Sequence, residues 1–168
     1  MQNTLFMEIQ QPRQWWLLVM ISLIAAWTWF LALSRLLFGI TVSEVPPPEW
    51  LLVMMWALFG VGLPLFFTFS RMVTVVDERR VLVLFKPLRW YRKELEVDRI
   101  QSCQPLTYHP LKHFGGWGVR NRRGTRAMTM CGNRGVLLIV DNSHWMIGSG
   151  RPEELCSAVR EAQGDRGR

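Results

Sequence analysis

Two stretches of the chain are apolar at every position. Residues 15–33, WWLLVMISLIAAWTWFLAL, and residues 50–69, WLLVMMWALFGVGLPLFFTF, contain no charged side chain. A helix of that length at 1.5 Å rise reaches roughly 28–30 Å, the thickness of a hydrocarbon core. A helix on a soluble core would carry a polar face over such a length, and these do not. The pattern predicts a transmembrane hairpin over 15–69, preceded by a short segment, 1–14. Pro46-Pro47-Pro48 cannot continue a helix and places the turn between the spans. Pro64, with Gly60 and Gly62, predicts a bend in the second span. Trp15, Trp16 and Trp50 stand at the ends of the runs, where indole favours the headgroup zone; Trp27, Trp29 and Trp56 stand deeper, where that preference does not explain them. A cleavable leader would have a shorter apolar stretch and a small-residue cleavage site, which the first run lacks.

After Phe69 the pattern breaks into short segments. MVTVVD (72–77) and RVLVLF (80–85) read as a hairpin, WYRKELEV (90–97) as a half-buried strand, and IQSCQPLTY (100–108) as a weaker one. Further strands are expected at 116–120, 125–131, 136–141 and 144–148, separated by the turns NRRG and GNRG. RPEELCSAVREA (151–162) reads as an amphipathic helix. Pro152 suits its first position, Glu153 and Glu154 complement its dipole, and Leu155, Ala158, Val159 and Ala162 form one stripe. The expected domain, 70–163, is a barrel or sandwich of seven or eight antiparallel strands with the helix covering an open end, followed by a flexible tail, 164–168.

Charge orients this arrangement. Of 20 Lys+Arg and 13 Asp+Glu, residues 70–168 hold 18 and 10, a formal charge of 18 − 10 = +8. Between Trp15 and Phe69 the only ionisable groups are Arg35, Glu44 and Glu49. Basic residues cluster directly after the second span, beginning at Arg71, so the positive-inside rule expects both termini in the cytoplasm. With one or two residues between Phe69 and the first strand, the domain is expected to stay close to the bilayer. Three cysteines, Cys103, Cys131 and Cys156, have no close spacing and are expected as reduced thiols.

Tyr108-x-Pro110, FGGWGVR (114–120), CGNRGVLLIVD (131–141) and IGSGRPEEL (147–155) together resemble the pleckstrin-homology-like domain of small bacterial membrane proteins with two N-terminal spans. That family's stretch reads like Y-x-P-x-x-x-x-GGWG-I-R, then S-G-N-x-G-V, an Asp-Gly turn and I-G-x-x-x-P-E-E-L. This chain departs at Asp141-Asn142 and in the apolar Met128-Thr129-Met130. The resemblance implies a pleckstrin-homology-like barrel at a bacterial inner membrane, and supplies little about function.

Two sets of residues stand out as candidate sites. Gly115, Gly116, Trp117 and Gly118 form an interaction loop in which Trp117 could stack on a ligand, or a bulge that serves geometry alone. Arg120, Arg122, Arg123, Arg126 and Arg134 would form one basic patch if adjacent hairpins bring them together, suited to anionic headgroups or simply solvated. His109, His113 and His144 lack ligand spacing, so no metal is expected, and no nucleophile elbow, phosphate loop or paired carboxylates point to an enzyme or a cofactor. No aromatic–basic module points to nucleic acid. The expectation is a non-catalytic, membrane-anchored module for protein–protein interaction or scaffolding, with a membrane-protein partner or a second copy. Anionic-lipid sensing and an accessory role in a transporter or membrane enzyme complex are the alternatives.

Overall fold

The computed structural model describes residues 4–39, 48–86, 91–122 and 124–164. Arg123, the first two prolines of the triproline and the tail beyond Gly164 lie outside the described residues. The chain forms two compact units: Arg13–Phe69, and Met1–Pro12 together with Ser70–Arg168.

The first unit is a helical hairpin. Helices α1 (Trp15–Phe38) and α2 (Glu49–Phe69) both have a mean hydropathy of 2.1, and only 11% and 6% of their apolar windows are buried by protein. Helices that belonged to a soluble core would be mostly covered; these are two helices long and apolar enough to cross a membrane. α1 ends at Gly39, whose φ of +64° supplies the left-handed cap. The bend expected at Pro64 appears instead as a π-helical stretch over Trp56–Gly62 within α2. Two of the three deep tryptophans, Trp29 and Trp56, meet at this stretch. Trp29 Nε1 donates to the Gly60 carbonyl (3.2 Å), and the Trp29 and Trp56 rings meet edge-on at 5.1 Å. A Cβ at Gly60 would stand 2.9 Å from Thr28 Oγ1, so glycine there permits close helix approach.

The second unit holds two sheets. Strands β1 (Thr4–Gln10), β2 (Arg71–Asp77), β3 (Arg80–Lys86) and β4 (Arg92–Glu96) form an antiparallel sheet in that order. Strands β5 (Ile100–Thr107), β6 (Gly118–Arg122), β7 (Thr125–Thr129), β8 (Arg134–Val140) and β9 (Ser143–Gly148) form the other, ordered β5-β8-β9-β7-β6. The eight strands read from the sequence are β2 to β9. The expected barrel is corrected: nine described strands make two separate sheets, and β7 pairs with β9 in parallel. The β8–β9 hairpin turns on Asp141 and Asn142, with φ of +47° and +64°. Both residue types tolerate this left-handed geometry, so the pair serves where Asp-Gly would.

The helix read at 151–162 is α4 (Pro152–Gly164); a short helix, α3 (Pro110–Phe114), precedes it in the chain. The inner faces of both sheets meet α4 in one core. Phe6, Met72, Val76, Val81, Val83 and Leu95 come from the first sheet, Met128, Val136, Leu138, Trp145 and Ile147 from the second, and Leu155, Val159 and Ala162 from α4. The helix thus lays one face into the core and leaves the other exposed. Gln163 Nε2 ties its end to the Ile100 carbonyl at 2.7 Å.

Two further corrections follow. Cys103 on β5 and Cys156 on α4 are joined in a disulfide across a Cα–Cα distance of 5.6 Å, and Cys131 stands outside that bond. The expectation of three reduced thiols overlooked this pair because β5 and α4, 53 residues apart, become neighbours only in the folded unit. The segment 1–14 contains strand β1, which pairs with β2 in register Gln10↔Met72 to Phe6↔Val76. The hairpin is therefore inserted between two hydrogen-bonded neighbours of one sheet.

Candidate interaction surface

The Gly-Trp loop follows α3. Gly115 caps that helix with φ of +72°, and Gly115 and Gly116 return their N–H groups to the carbonyls of Leu111 and Pro110. A Cβ at Gly115 would meet nothing within 4 Å, so the requirement is backbone conformation and not close approach. Trp117 donates its indole N–H to the Gly132 carbonyl at 2.9 Å, which pins the loop to the turn between β7 and β8. These contacts give the loop a structural duty.

The four described arginines, Arg120, Arg122, Arg126 and Arg134, do not share one surface. Strand alternation and pairing set their faces. Arg120 is opposite Ala127, and Arg122 opposite Thr125, on the outer face of the second sheet. There Arg122 donates to the carbonyls of Lys112 and His113 at the end of α3 (2.9 and 3.3 Å). Arg126 is on the inner face, its guanidinium 5.0 Å from the centre of the Trp145 ring, with Lys93 Nζ at 4.8 Å from the same ring. Arg134 pairs with Glu153 of α4 at 2.6 Å. Arg123 lies outside the described residues. His109 and His113 place their rings 5.9 Å apart, and no group of three metal-ligating side chains occurs among the described residues.

The outer face of the second sheet is partly covered. Tyr108, Ala127 and Met146 form a small core there with Leu106 and Phe114, and burial pushes the Tyr108 hydroxyl up to about 12. On the first sheet, the outer face has a different character. Register places Met7 and Ile9 of β1 beside Val75 and Val73 of β2, which face Leu82 and Leu84 of β3. Met7 and Ile9 are 52% and 51% exposed. Six aliphatic side chains thus share one face, with β1 as an edge strand.

Charged residues frame this patch at both ends. At one end Arg80 donates to Asp77 and Glu94. Burial alone would raise the Asp77 carboxyl. The N–H groups of Arg79 and Arg80 and the Arg80 guanidinium outweigh it and hold the group below its ordinary value. At the other end Arg71 stands directly opposite Lys86. Like charges facing each other across strands are unfavourable unless an anion lies between them.

Residues 2–164 match the model of DUF6141, a family of unknown function. The chain belongs to this family. No curated protein and no solved structure matches it. The DUF6141 match covers strand β1, the helical hairpin and the two-sheet unit together, so the hairpin and the β unit belong to one family-defined region. The match is not to a pleckstrin-homology-like family, and that part of the sequence expectation gains nothing from it. The aliphatic face of the DUF6141 chain was missed in its sequence because two of its six members, Met7 and Ile9, come from the segment before the first apolar helix.

Proposed function

We propose that this chain is a membrane-anchored docking module: the hairpin spans the bilayer twice, and the aliphatic outer face of the β1–β2–β3 sheet receives a partner protein that presents an apolar surface. One observation carries the reading. Six aliphatic side chains occupy a single face beside an edge strand, two of them half exposed, and contiguous apolar patches of this kind mark interaction sites. The pairing of β1 with β2 supports an even number of crossings, because segments on both sides of the hairpin fold into one unit. The excess of Lys and Arg after the second span supports a cytoplasmic location at an inner membrane. The order of strands followed by one helix supports a pleckstrin-homology-like reading of the β unit.

Photocrosslinking in intact cells tests the proposal. A photoreactive residue at Ile9 is expected to give a protein adduct of defined mass, and one at exposed Glu161 on α4 is not. An Ile9 variant that captured only lipid would reject a protein partner.

Lipid sensing is a second reading, favoured by the like charges of Arg71, two residues beyond α2, and Lys86, which face each other across β2 and β3. An anionic headgroup between them would relieve their repulsion, at about 1 kcal/mol per basic residue. Arg71→Gln combined with Lys86→Gln is expected to weaken the salt-sensitive binding of the full chain to phosphatidylglycerol. Unchanged binding would dismiss this pair as a headgroup site.

A further inference from the structure

The helical hairpin contains a groove of about 750 Å³ between the second half of α1 and the start of α2. Small-molecule sites typically enclose roughly 300–1,000 Å³, so the groove is large enough for a ligand. Its walls are Leu31, Leu52 and Met55, and the edge-on Trp29–Trp56 pair lines it beside the π-helical stretch. π-helical turns recur at functional sites, because the extra residue widens the helix and redirects side chains. Arg35 and Glu49 also line the groove, where α1 stops and α2 begins, with 3.7 Å between Arg35 Nη2 and Glu49 Oε1.

The two charges differ in exposure. The Arg35 side chain is 27% exposed and that of Glu49 is 87% exposed. The groove thus offers an apolar wall, a mostly covered cation and an open carboxylate. A phospholipid with an ethanolamine headgroup has the complementary groups: acyl chain, phosphate, ammonium.

We propose that this groove seats one ethanolamine phospholipid, its chain along the aliphatic wall, its phosphate on Arg35 and its ammonium on Glu49. The inference rests on the two-span reading of the hairpin. Two other occupants fit less well. A helix from a second copy would strip water from the 87% exposed Glu49 carboxylate and leave it only the ion pair with Arg35, which is costly. A purely anionic lipid satisfies Arg35 and repels Glu49, and a choline headgroup has no N–H to give that carboxylate.

Native mass spectrometry of the full chain in mild detergent tests it, with phosphatidylethanolamine, phosphatidylcholine and phosphatidylglycerol as competing probes. One ethanolamine lipid per chain is expected, retained about tenfold more tightly than the glycerol lipid. Glu49→Gln is expected to abolish that preference while leaving helix content by circular dichroism unchanged. The exchange Arg35→Glu with Glu49→Arg keeps an ion pair but inverts its order, and is also expected to lose the preference. Equal retention of the three lipids, a preference that survives either variant, or a lipid-free dimer would overturn the proposal. Carbonate extraction of the same membranes separates the two levels. Release of the chain would overturn the two-span reading and this site with it, whereas retention with lipid indifference would overturn the site alone.

Discussion

Replacing Cys103 and Cys156 together by alanine is expected to lower the stability of the two-sheet unit by roughly 4 kcal/mol, the chain-entropy value for a loop of this length. The bond closes a separation of 53 residues between β5 and α4. Both positions are buried, so no solvent-exposed strain complicates the substitution. The unit is expected to fold without the bond. Leu155, Val159 and Ala162 remain in the core, Gln163 remains tied to Ile100, and a loss of that size lies within the ordinary 5–15 kcal/mol of a domain. Denaturant unfolding of the full chain in micelles, with and without reductant, measures the effect. A thiol count after rapid alkylation is its direct companion: one reactive thiol is expected in the unfolded, unreduced chain, and three after reduction. Three thiols before reduction would show that the bond does not form.

That count bears on which side of the membrane the β unit occupies. Charge and sulfur pull in opposite directions. Eighteen Lys and Arg residues after the hairpin favour the cytoplasm, whereas disulfides persist mainly in oxidising compartments. The burial of both sulfur-bearing residues shields the bond from soluble reductants, which lets it survive where an exposed bond would be reduced.

How much was legible in the sequence depended on the range of the forces involved. The spans were legible because twenty uncharged residues in a row are a local signal. Strands β2 to β9 were legible because Gly-, Asn- and Arg-rich turns punctuate alternating segments. RVLVLF carried more than a strand: it is apolar on both faces, and a strand apolar on both faces has something to meet on each side. The outer aliphatic face is where that pattern leads. What stayed hidden was long-range. The disulfide, the separation of Arg120 and Arg122 from Arg126, and the parallel β7–β9 pair all depend on which strands become neighbours. Register decided the arginines. Arg122 and Arg126, four residues apart, lie on opposite faces because the turn between β6 and β7 shifts the alternation.

Strand β1 is the clearest case, and it yields the second large expected effect. Read by alternation, TLFMEIQ would bury Leu5, Met7 and Ile9 and expose Glu8 and Gln10. From Phe6 onward the fold does the reverse, while Leu5, beside the register irregularity, still packs against the core. Phe6 is 6% exposed within the core, and Glu8 and Gln10 also turn inward. They do so because the loop after β9 offers matching partners. Glu8 accepts from Ser149 Oγ (2.5 Å) and from the Gly150 N–H (2.8 Å), and Gln10 Nε2 donates to the Gly148 carbonyl (2.9 Å). Arg151 adds a hydrogen bond to the Met7 carbonyl and stacks over the Phe6 ring. Inward polar groups that are fully hydrogen-bonded cost little, while breaking one partner leaves the other stranded. Phe6→Ala is therefore expected to cost about 3–5 kcal/mol, and Glu8→Ala about 1–3 kcal/mol. Met7→Ala and Ile9→Ala are expected within about 0.5 kcal/mol of the parent chain, as half-exposed positions should be. The same two substitutions should nevertheless weaken the partner adduct captured from β1, since these side chains belong to the docking face. Denaturant midpoints of the four variants decide the matter. If Met7 and Ile9 proved costly and Phe6 and Glu8 neutral, β1 would be paired one residue out of register, and the aliphatic outer face would lose two of its six members.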